Sequence, residues 1–533
     1  MTAVAERSLG LLSSPGVSDV PATSARLPRF TPIPVAVAAI NATAFFFLRP
    51  GVNDLWAARA RASAVSHGVG LTYWFSWFSG GSTPGNYSVL TPYLSALISA
   101  ELVGALAAVA ITILTAFAVS DTAHPVAAVG VATFAAGVNL WSGRVPFLLG
   151  SAIAIAALLA VRRQRPVIAG LLTLIGILAS PVSAAFLALG LVGIFIASPR
   201  YRKISASTIV STAFAFGLVA LAFGTPGPQH FSWALCSEAL GALILFMFAR
   251  PPAYLRVMLW LSMATAVTVA VIPNGMGSNF GRMIWFCLPV LVVATTARRV
   301  WVALLLVCPV LLAGASMTVT DLRDASAPVA ASAYYRPLGQ ELDSISGLTN
   351  YRLEVVAEGA HAAYDALLNH AMLARGWETQ EDNALNPILL NRSLDATAYK
   401  VWLDNNSVGY VALPRATSQR FPEYTLVAAR RLAYLHEIWS SRDWALYRVD
   451  SPTPIVAEPQ SVLSYSQSTL RIKSVCRCTF SVRIRFSRYL RADLVTSRRT
   501  AATLVSDGFG YTRMSTPEPG EYSVYGSVSE LFH

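Results

Sequence analysis

Charge is scarce in this chain. Of its 533 residues, 13% are Asp, Glu, Lys or Arg, against roughly 25% in soluble domains, and lysine occurs only at Lys203, Lys400 and Lys473. So little charge excludes intrinsic disorder, which needs many charges and few apolar residues, and it excludes a purely water-soluble globule. Five cysteines are too few for a disulfide framework, and no Gly-X-Y period marks a collagen. Walker, GxSxG, HExxH and paired CxxC motifs are missing, so no phosphate-binding loop, hydrolase elbow or zinc centre is announced. Nor is there a visible inverted repeat of the kind many secondary transporters carry.

What fills the chain is apolar sequence: 54% hydrophobic residues and a mean hydropathy of +0.52. These values indicate an α-helical polytopic membrane protein. A span needs about 20 mostly apolar residues. Eleven segments are candidates, near 32–48, 100–119, 125–141, 146–161, 167–180, 182–198, 205–223, 231–249, 254–272, 283–297 and 300–317. The net charge of +12 sits largely in short runs between them, from Arg26 and Arg29 to Arg162, Arg163 and Arg165, then Arg200, Arg202 and Lys203, Arg250 and Arg256, and Arg298 and Arg299. By the positive-inside rule these connections and the N-terminus are cytoplasmic, and the eleventh span ends outside. The basic excess therefore orients a multi-pass protein in the plasma membrane, and no nucleic-acid partner is expected.

The organisation follows from these shifts in composition. Residues 1–30, rich in Ser, Pro and Ala, form a disordered cytoplasmic tail without the order of a signal peptide. Residues 31–317 form the transmembrane domain, with a long first outer loop at 50–90. Residues 318–452 read as an extracytoplasmic α/β domain, helical at 360–374 and strand-like at 408–413 and 444–449. Residues 453–533, with alternating runs at 469–475, 479–486 and 522–528, read as a β-sandwich. Cys236, Cys287 and Cys308 pack as small hydrophobes. Cys476 and Cys478 stand too close for an easy unstrained disulfide and read as structural or redox-idle, their oxidation left open.

The unusual polar residues fall in the outer connections and should share one face: Asn53 and Asp54, Arg144, Ser180, His230, Asn279 and Arg282. Arg144 and Arg282 run against the positive-inside bias, each beside a glycine, Gly143 and Gly281; an anionic partner would explain them. In the first outer loop, residues 54–67 can form an amphipathic helix with Leu55, Ala58, Ala62 and Val65 on one side. It would lie in the membrane interface, with Trp74 and Trp77 at headgroup depth.

A first span followed at once by an acidic residue, interfacial helices in a long first outer loop, outer arginines and an external C-terminal domain together resemble glycosyltransferases of the GT-C fold. The strings NDLWAARA, WFSGGSTPGNYSVLTP, SGRVPFLLG, LASPVSA and MGSNFGRM, with ARGWETQEDNALNP and VGYVALP further on, also resemble actinobacterial polytopic proteins often labelled uncharacterised or as major-facilitator transporters. The likeness runs from about Arg49 to the C-terminus. It implies transfer of a sugar from a polyprenyl-phosphate donor, at the outer membrane face, to a glycan, lipid or protein hydroxyl of the cell envelope. Arabinofuranose and mannose donors are implied by the actinobacterial likeness alone. Asp54 matches the place of the family's general base, while Asn53 stands where a second acid is often found. Arg144 and Arg282 are the phosphate-binding candidates, with Asn279 near a sugar or phosphate oxygen; Asn53, His230, Glu238, Trp377 and Glu378 are candidates for the substrate cavity.

The chemistry suits these residue types. An acceptor hydroxyl needs a base as it attacks the anomeric carbon, and guanidinium groups meet a leaving phosphate with paired donors. The lipid-linked donor is a substrate; no resident cofactor is implied, and a divalent metal has no residue pattern behind it. Each residue also has an ordinary reading. Asp54 can cap a helix. Arg144 and Arg282 can snorkel to headgroups or pair with outer carboxylates. Glu101 can lie at the outer interface, and Glu238, two turns inside a span, can be a buried hydrogen-bonded group. His230 and His67 can be solvated, and Trp377, Glu378, Gln380, Asp382 and Asn383 can be a surface loop or a sugar-contacting group. A transporter of an envelope precursor is the rival function and an anchored assembly module the third. Convergence of Asp54, Arg144, Asn279 and Arg282 in one outward-facing cavity separates the transferase from both.

Overall fold

The computed structural model describes Pro28 and residues 31–531, apart from 82, 226, 357–360, 416–420 and 430–431; the expected N-terminal tail otherwise falls outside them. The apolar runs form α1 (Pro32–Leu48), α4 (Ala100–Ala118), α5 (Pro125–Trp141), α6 (Val145–Arg162), α7 (Pro166–Ala179), α8 (Pro181–Ala197), α9 (Pro199–Phe223), α10 (Trp233–Met247), α11 (Ala253–Val271), α12 (Gly277–Thr295) and α13 (Val300–Asp324), with α2 (Asn53–Ser66) and α3 (Leu90–Ile98) between the first two. Prolines 32, 125, 166 and 181 open their helices, where a missing N–H costs nothing. Six helices, α4, α6, α9, α11, α12 and α13, are long and apolar enough to cross a membrane, and α1 with α2 passes as a pair bent by 67°. α5, α7, α8 and α10 are apolar but shorter.

Large apolar side chains face outward along these helices, among them Val167, Leu171, Phe214, Leu221, Leu305 and Leu312. Such a surface is consistent with a membrane protein. α13 runs to Asp324, past the expected end at 317: the fall in hydropathy at Thr318 marks the end of the apolar run and not of the helix.

The C-terminal region is rich in strands. β1 (Arg352–Val355), β2 (Val408–Pro414), β3 (Leu435–Ser440) and β4 (Trp444–Val449) form a sheet in the order β1-β2-β4-β3, parallel only between β1 and β2. The helix expected at 360–374 is reduced to Ala363–Ala366. Met372 and Ala374 instead exchange backbone hydrogen bonds with Leu353, so the exposed edge of β1 outcompetes the local helix preference.

Beyond Pro452, eight strands build two sheets. β5 (Ser461–Tyr465), β6 (Thr469–Ser474), β8 (Leu490–Leu494), β9 (Ser497–Ala501) and β12 (Gly520–Gly526) make one. β7 (Thr479–Arg485), β10 (Thr503–Ser506) and β11 (Tyr511–Ser515) make the other. Leu470, Ile472 and Val524 of the first meet Val482, Ile484 and Met514 of the second in one core, as alternation along each strand predicts. Cys476 and Cys478 are joined by a disulfide across the β6–β7 turn, so the expected difficulty of bridging so short a spacing is overcome.

The first loop departs most from expectation. α2 has no free apolar face to lay on lipid, because Leu55, Trp56, Ala57, Ala60, Arg61 and Ala64 are buried on all sides of it. Trp74 and Trp77 stack with ring centroids 4.6 Å apart. Both are fully buried, in a core shared with Leu338, Leu353, Leu367 and Trp444 of the C-terminal region. Tyr73 and Phe75 enter the sandwich core. Aromatic pairing inside the protein, not contact with lipid, accounts for this segment.

Candidate functional site

The start of α2, the α5–α6 turn and the start of α12 meet at one carboxylate. Val52, extended, takes the cap position of α2 without a side-chain bond, and Asp54 lies in the first turn with its carboxylate uncommitted to capping. The α5–α6 turn reaches it through Gly143, whose φ is +74° and where a Cβ would stand 2.5 Å from the Leu55 nitrogen. Only glycine permits that approach, and it puts the next residue, Arg144, beside Asp54.

Arg144 Nε lies 3.7 Å and Arg282 Nη2 3.6 Å from Asp54 Oδ2. Both separations exceed hydrogen-bond length, so the carboxylate is bracketed by charge while the guanidinium donors stay unspent on it. Arg144 also donates from Nη1 to Asn139 Oδ1 at 3.2 Å and lies 3.9 Å from Asp321 Oδ2, while its buried Nε has no hydrogen-bond partner. The Phe286 ring sits 5.9 Å from the Arg144 guanidinium and Phe147 5.5 Å from that of Arg282, cation–π contacts that fix both without using their donors. The side chain of Asp54 is 38% exposed, those of Arg144 and Arg282 10% and 18%: an accessible acid stands against shielded cations.

Asp54 and Arg144 line a recess with Arg61, Tyr87, Ser95 and Trp377. Its free volume of about 20 Å³ is room for one water. Burial, with the Asp54 charge second, pushes the Tyr87 hydroxyl up to about 12, which keeps it a proton donor. Trp377 packs edge-on to Tyr87 at 5.5 Å and to Trp77 at 5.2 Å. Asn53 ties the start of α2 to the C-terminal region: its Oδ1 accepts from the His361 backbone N–H at 3.3 Å, and His361 Nδ1 lies 3.3 Å from its carbonyl. Burial lowers the His361 pKa, against the opposing pull of the Asp54 charge.

Glu378 stands behind Trp377, 1% exposed, with neither carboxyl oxygen hydrogen-bonded. Burial first and Glu381 second push its pKa up to about 8, against the opposing pull of Arg61.

Other expected residues lie apart. Asn279 Nδ2 donates to Gln229 Oε1 at 2.7 Å, and Gln380 Nε2 donates to the same oxygen at 3.1 Å; Asn279 thus braces the 224–232 loop instead of meeting Asp54. His230 is exposed in that loop. Glu238 is exposed as well, neither buried nor in a cavity, because Cys236, Ala239 and Leu243 take the inward face of α10. Glu101 pairs with Arg59 at 2.8 Å. Asp382 is no sugar-contacting surface group: Arg375, nearly buried, gathers Asp382, Glu354 and Glu423 around one guanidinium. Among the described residues no three His, Cys, Asp or Glu side chains are grouped to hold a metal.

Arg61, Tyr87, Asp321 and His361 were not singled out from sequence. Arg61 had a signal, lying seven residues beyond Asp54 and so on the same side of a helix. Tyr87 and His361 had none, since each reaches the recess through tertiary packing. The chain matches no protein-family model and no curated protein.

Proposed function

We propose that this protein is a membrane glycosyltransferase that moves a sugar from a polyprenyl-phosphate donor to a hydroxyl of a cell-envelope glycan, lipid or protein, with Asp54 as the general base. The observation that carries this reading is the accessible Asp54 carboxylate between two shielded guanidiniums with donors to spare. In the reaction the acceptor hydroxyl gives its proton to Asp54 as its oxygen attacks the anomeric carbon. The bond from that carbon to the phosphate oxygen breaks, and Arg144 and Arg282 meet the charge left on the polyprenyl phosphate. A sugar is larger than the recess, so this reading requires rings that line it, Tyr87 and Trp377 among them, to move when the donor binds.

The rest of the molecule suits a lipid donor. An apolar cavity of about 550 Å³ lies between α8, α9 and α11, with Asn274, Met276 and Phe280 at one end. Phe280 contacts Phe186 at 6.4 Å and Phe186 contacts Phe147 at 6.1 Å. Phe147 also packs on Arg282, so a chain of buried aromatic rings, and no open channel, separates that cavity from the guanidinium. In this reading all eleven apolar helices span the plasma membrane, the N-terminus is cytoplasmic, and the recess and the C-terminal domains face outward.

The test is transfer by the purified protein in nanodiscs from radiolabelled polyprenyl-phosphate sugars to envelope acceptors. Asp54→Asn should lower turnover by about 10²-fold or more while donor binding persists. Arg282→Ala should weaken donor binding about tenfold or more, the worth of a hydrogen bond to a charged group. Equal turnover by wild type and Asp54→Asn would eliminate the proposed base.

A further inference from the structure

The sandwich presents one aromatic ring to the outside with nothing of its own to cover it. Phe509, at the tip of the β10–β11 hairpin, is 87% exposed. The tip is rigid: Asp507 Oδ1 accepts from the backbone N–H groups of Phe509 at 2.8 Å and Tyr511 at 3.0 Å. Gly508 and Gly510 take φ of +87° and +90°, which glycine adopts without strain. The ring is therefore held out by a built turn.

The strand register tells where the tip lies. β11 pairs antiparallel with β7, Tyr511 opposite Arg485 and Ser515 opposite Thr479, so the tip stands at the C-terminal end of β7. There Phe486, itself partly exposed, donates its backbone N–H to the Gly510 carbonyl at 3.0 Å. Two residues on, Arg488 and Tyr489 donate to the carbonyls of Leu221 and Ala222, in the last turn of α9. The lower end of the sandwich is thus fastened to the end of a helix long and apolar enough to cross a membrane. Along α9, Val210, Phe214, Leu218 and Leu221 form an exposed apolar stripe, spaced as one helical face. That stripe rises to the point where Arg488, two residues along the chain from Phe486, is attached.

We propose that Phe509 and Phe486 enter the headgroup–acyl boundary of the bilayer that surrounds α9, making the hairpin a membrane-seated foot of the C-terminal region. The occupant is lipid, and the argument for it is continuity: Arg488 ties this end of the sandwich to the top of the exposed α9 stripe, and exposed aromatic rings at such a junction suit the headgroup–acyl boundary. This rests on α9 spanning the membrane and is independent of the glycosyl-transfer reading.

The test uses the full chain with Cys308→Ser in nanodiscs of mixed zwitterionic and anionic lipid. Nitroxide labels are placed singly at Phe509→Cys, at Phe214→Cys on α9, and at Glu518→Cys in the β11–β12 turn, exposed at the far end of the sandwich. Power-saturation electron paramagnetic resonance compares relaxation by oxygen, which partitions into lipid, with relaxation by a nickel chelate, which stays in water. Positions 214 and 509 should favour oxygen, with 214 the deeper, and 518 should favour the chelate. A reading at 509 like that at 518, with 214 still in lipid, overturns the foot alone. Chelate-dominated relaxation at 214 overturns it together with its premise.

Discussion

At Asp54 the carboxylate keeps its freedom because Val52 occupies the capping position and the nearest cations stand just beyond hydrogen-bond reach. The three central residues were legible because each breaks a rule of the sequence reading: an acid after the first apolar run, and arginines in connections that the positive-inside rule expects to be outer. Asn279, His230 and Glu238 broke no such rule in space, since polarity along the chain does not say which way a loop or a helix face turns. Glu378 offers a separate prediction. Its folded-state pKa of about 8 lies above the unfolded value of 4.5, so between those values the folded chain holds a proton that the unfolded chain has released. The contribution of this group to stability is then greatest below pH 4.5 and falls by up to ~1.4 kcal/mol per pH unit as pH rises toward 8. Thermal unfolding of wild type and Glu378→Gln from pH 5 to 9 should show their difference growing with pH, the variant being the more stable at pH 8 and above.

Among the elements, the α5–α6 turn determines whether Arg144 and Asp54 meet. Gly143→Ala would force a Cβ against the Leu55 backbone at a positive φ, a strain of about 1–3 kcal/mol. The melting temperature should drop, and donor binding should weaken although neither guanidinium has been removed. A variant with unchanged stability and binding would show that the turn has no such role. The apolar helices were readable as helices because an uninterrupted apolar run has few other solutions, and the strands within 469–475, 479–486 and 522–528 because alternation is a two-residue signal; 408–413 and 444–449, buried almost throughout, were readable only as short apolar and aromatic runs. The 360–374 segment was misread because its alanines favour a helix only until β1 offers an edge. α2 was misread because a helix built from alanines, two arginines and a tryptophan can be enclosed on every side as readily as it can float.

For the whole molecule, the loop at 50–90 is the joint between a helical body and a strand-rich one. Trp74 and Trp77 complete the core around Leu353 and Trp444, and Tyr73 and Phe75 complete the sandwich. A fragment of residues 325–533 lacks these rings and should be aggregation-prone, with fast amide exchange in β1 and β4. Co-expression with residues 1–324 should restore protection. A fragment as protected on its own as within the full chain would disprove this dependence. That an apolar helical body is followed by a strand-rich region was legible from composition. Their interpenetration was not, because the contacts that create it join residues hundreds of positions apart.

That interpenetration imposes an order on biosynthesis. Trp77 leaves the ribosome about 260 residues before Tyr334, the start of its eventual cover, a wait of roughly ten to fifty seconds at ordinary translation rates. Until then a strip of tryptophan and phenylalanine lacks most of its core, and whatever escorts the nascent chain must shelter it before the C-terminal region can close over it.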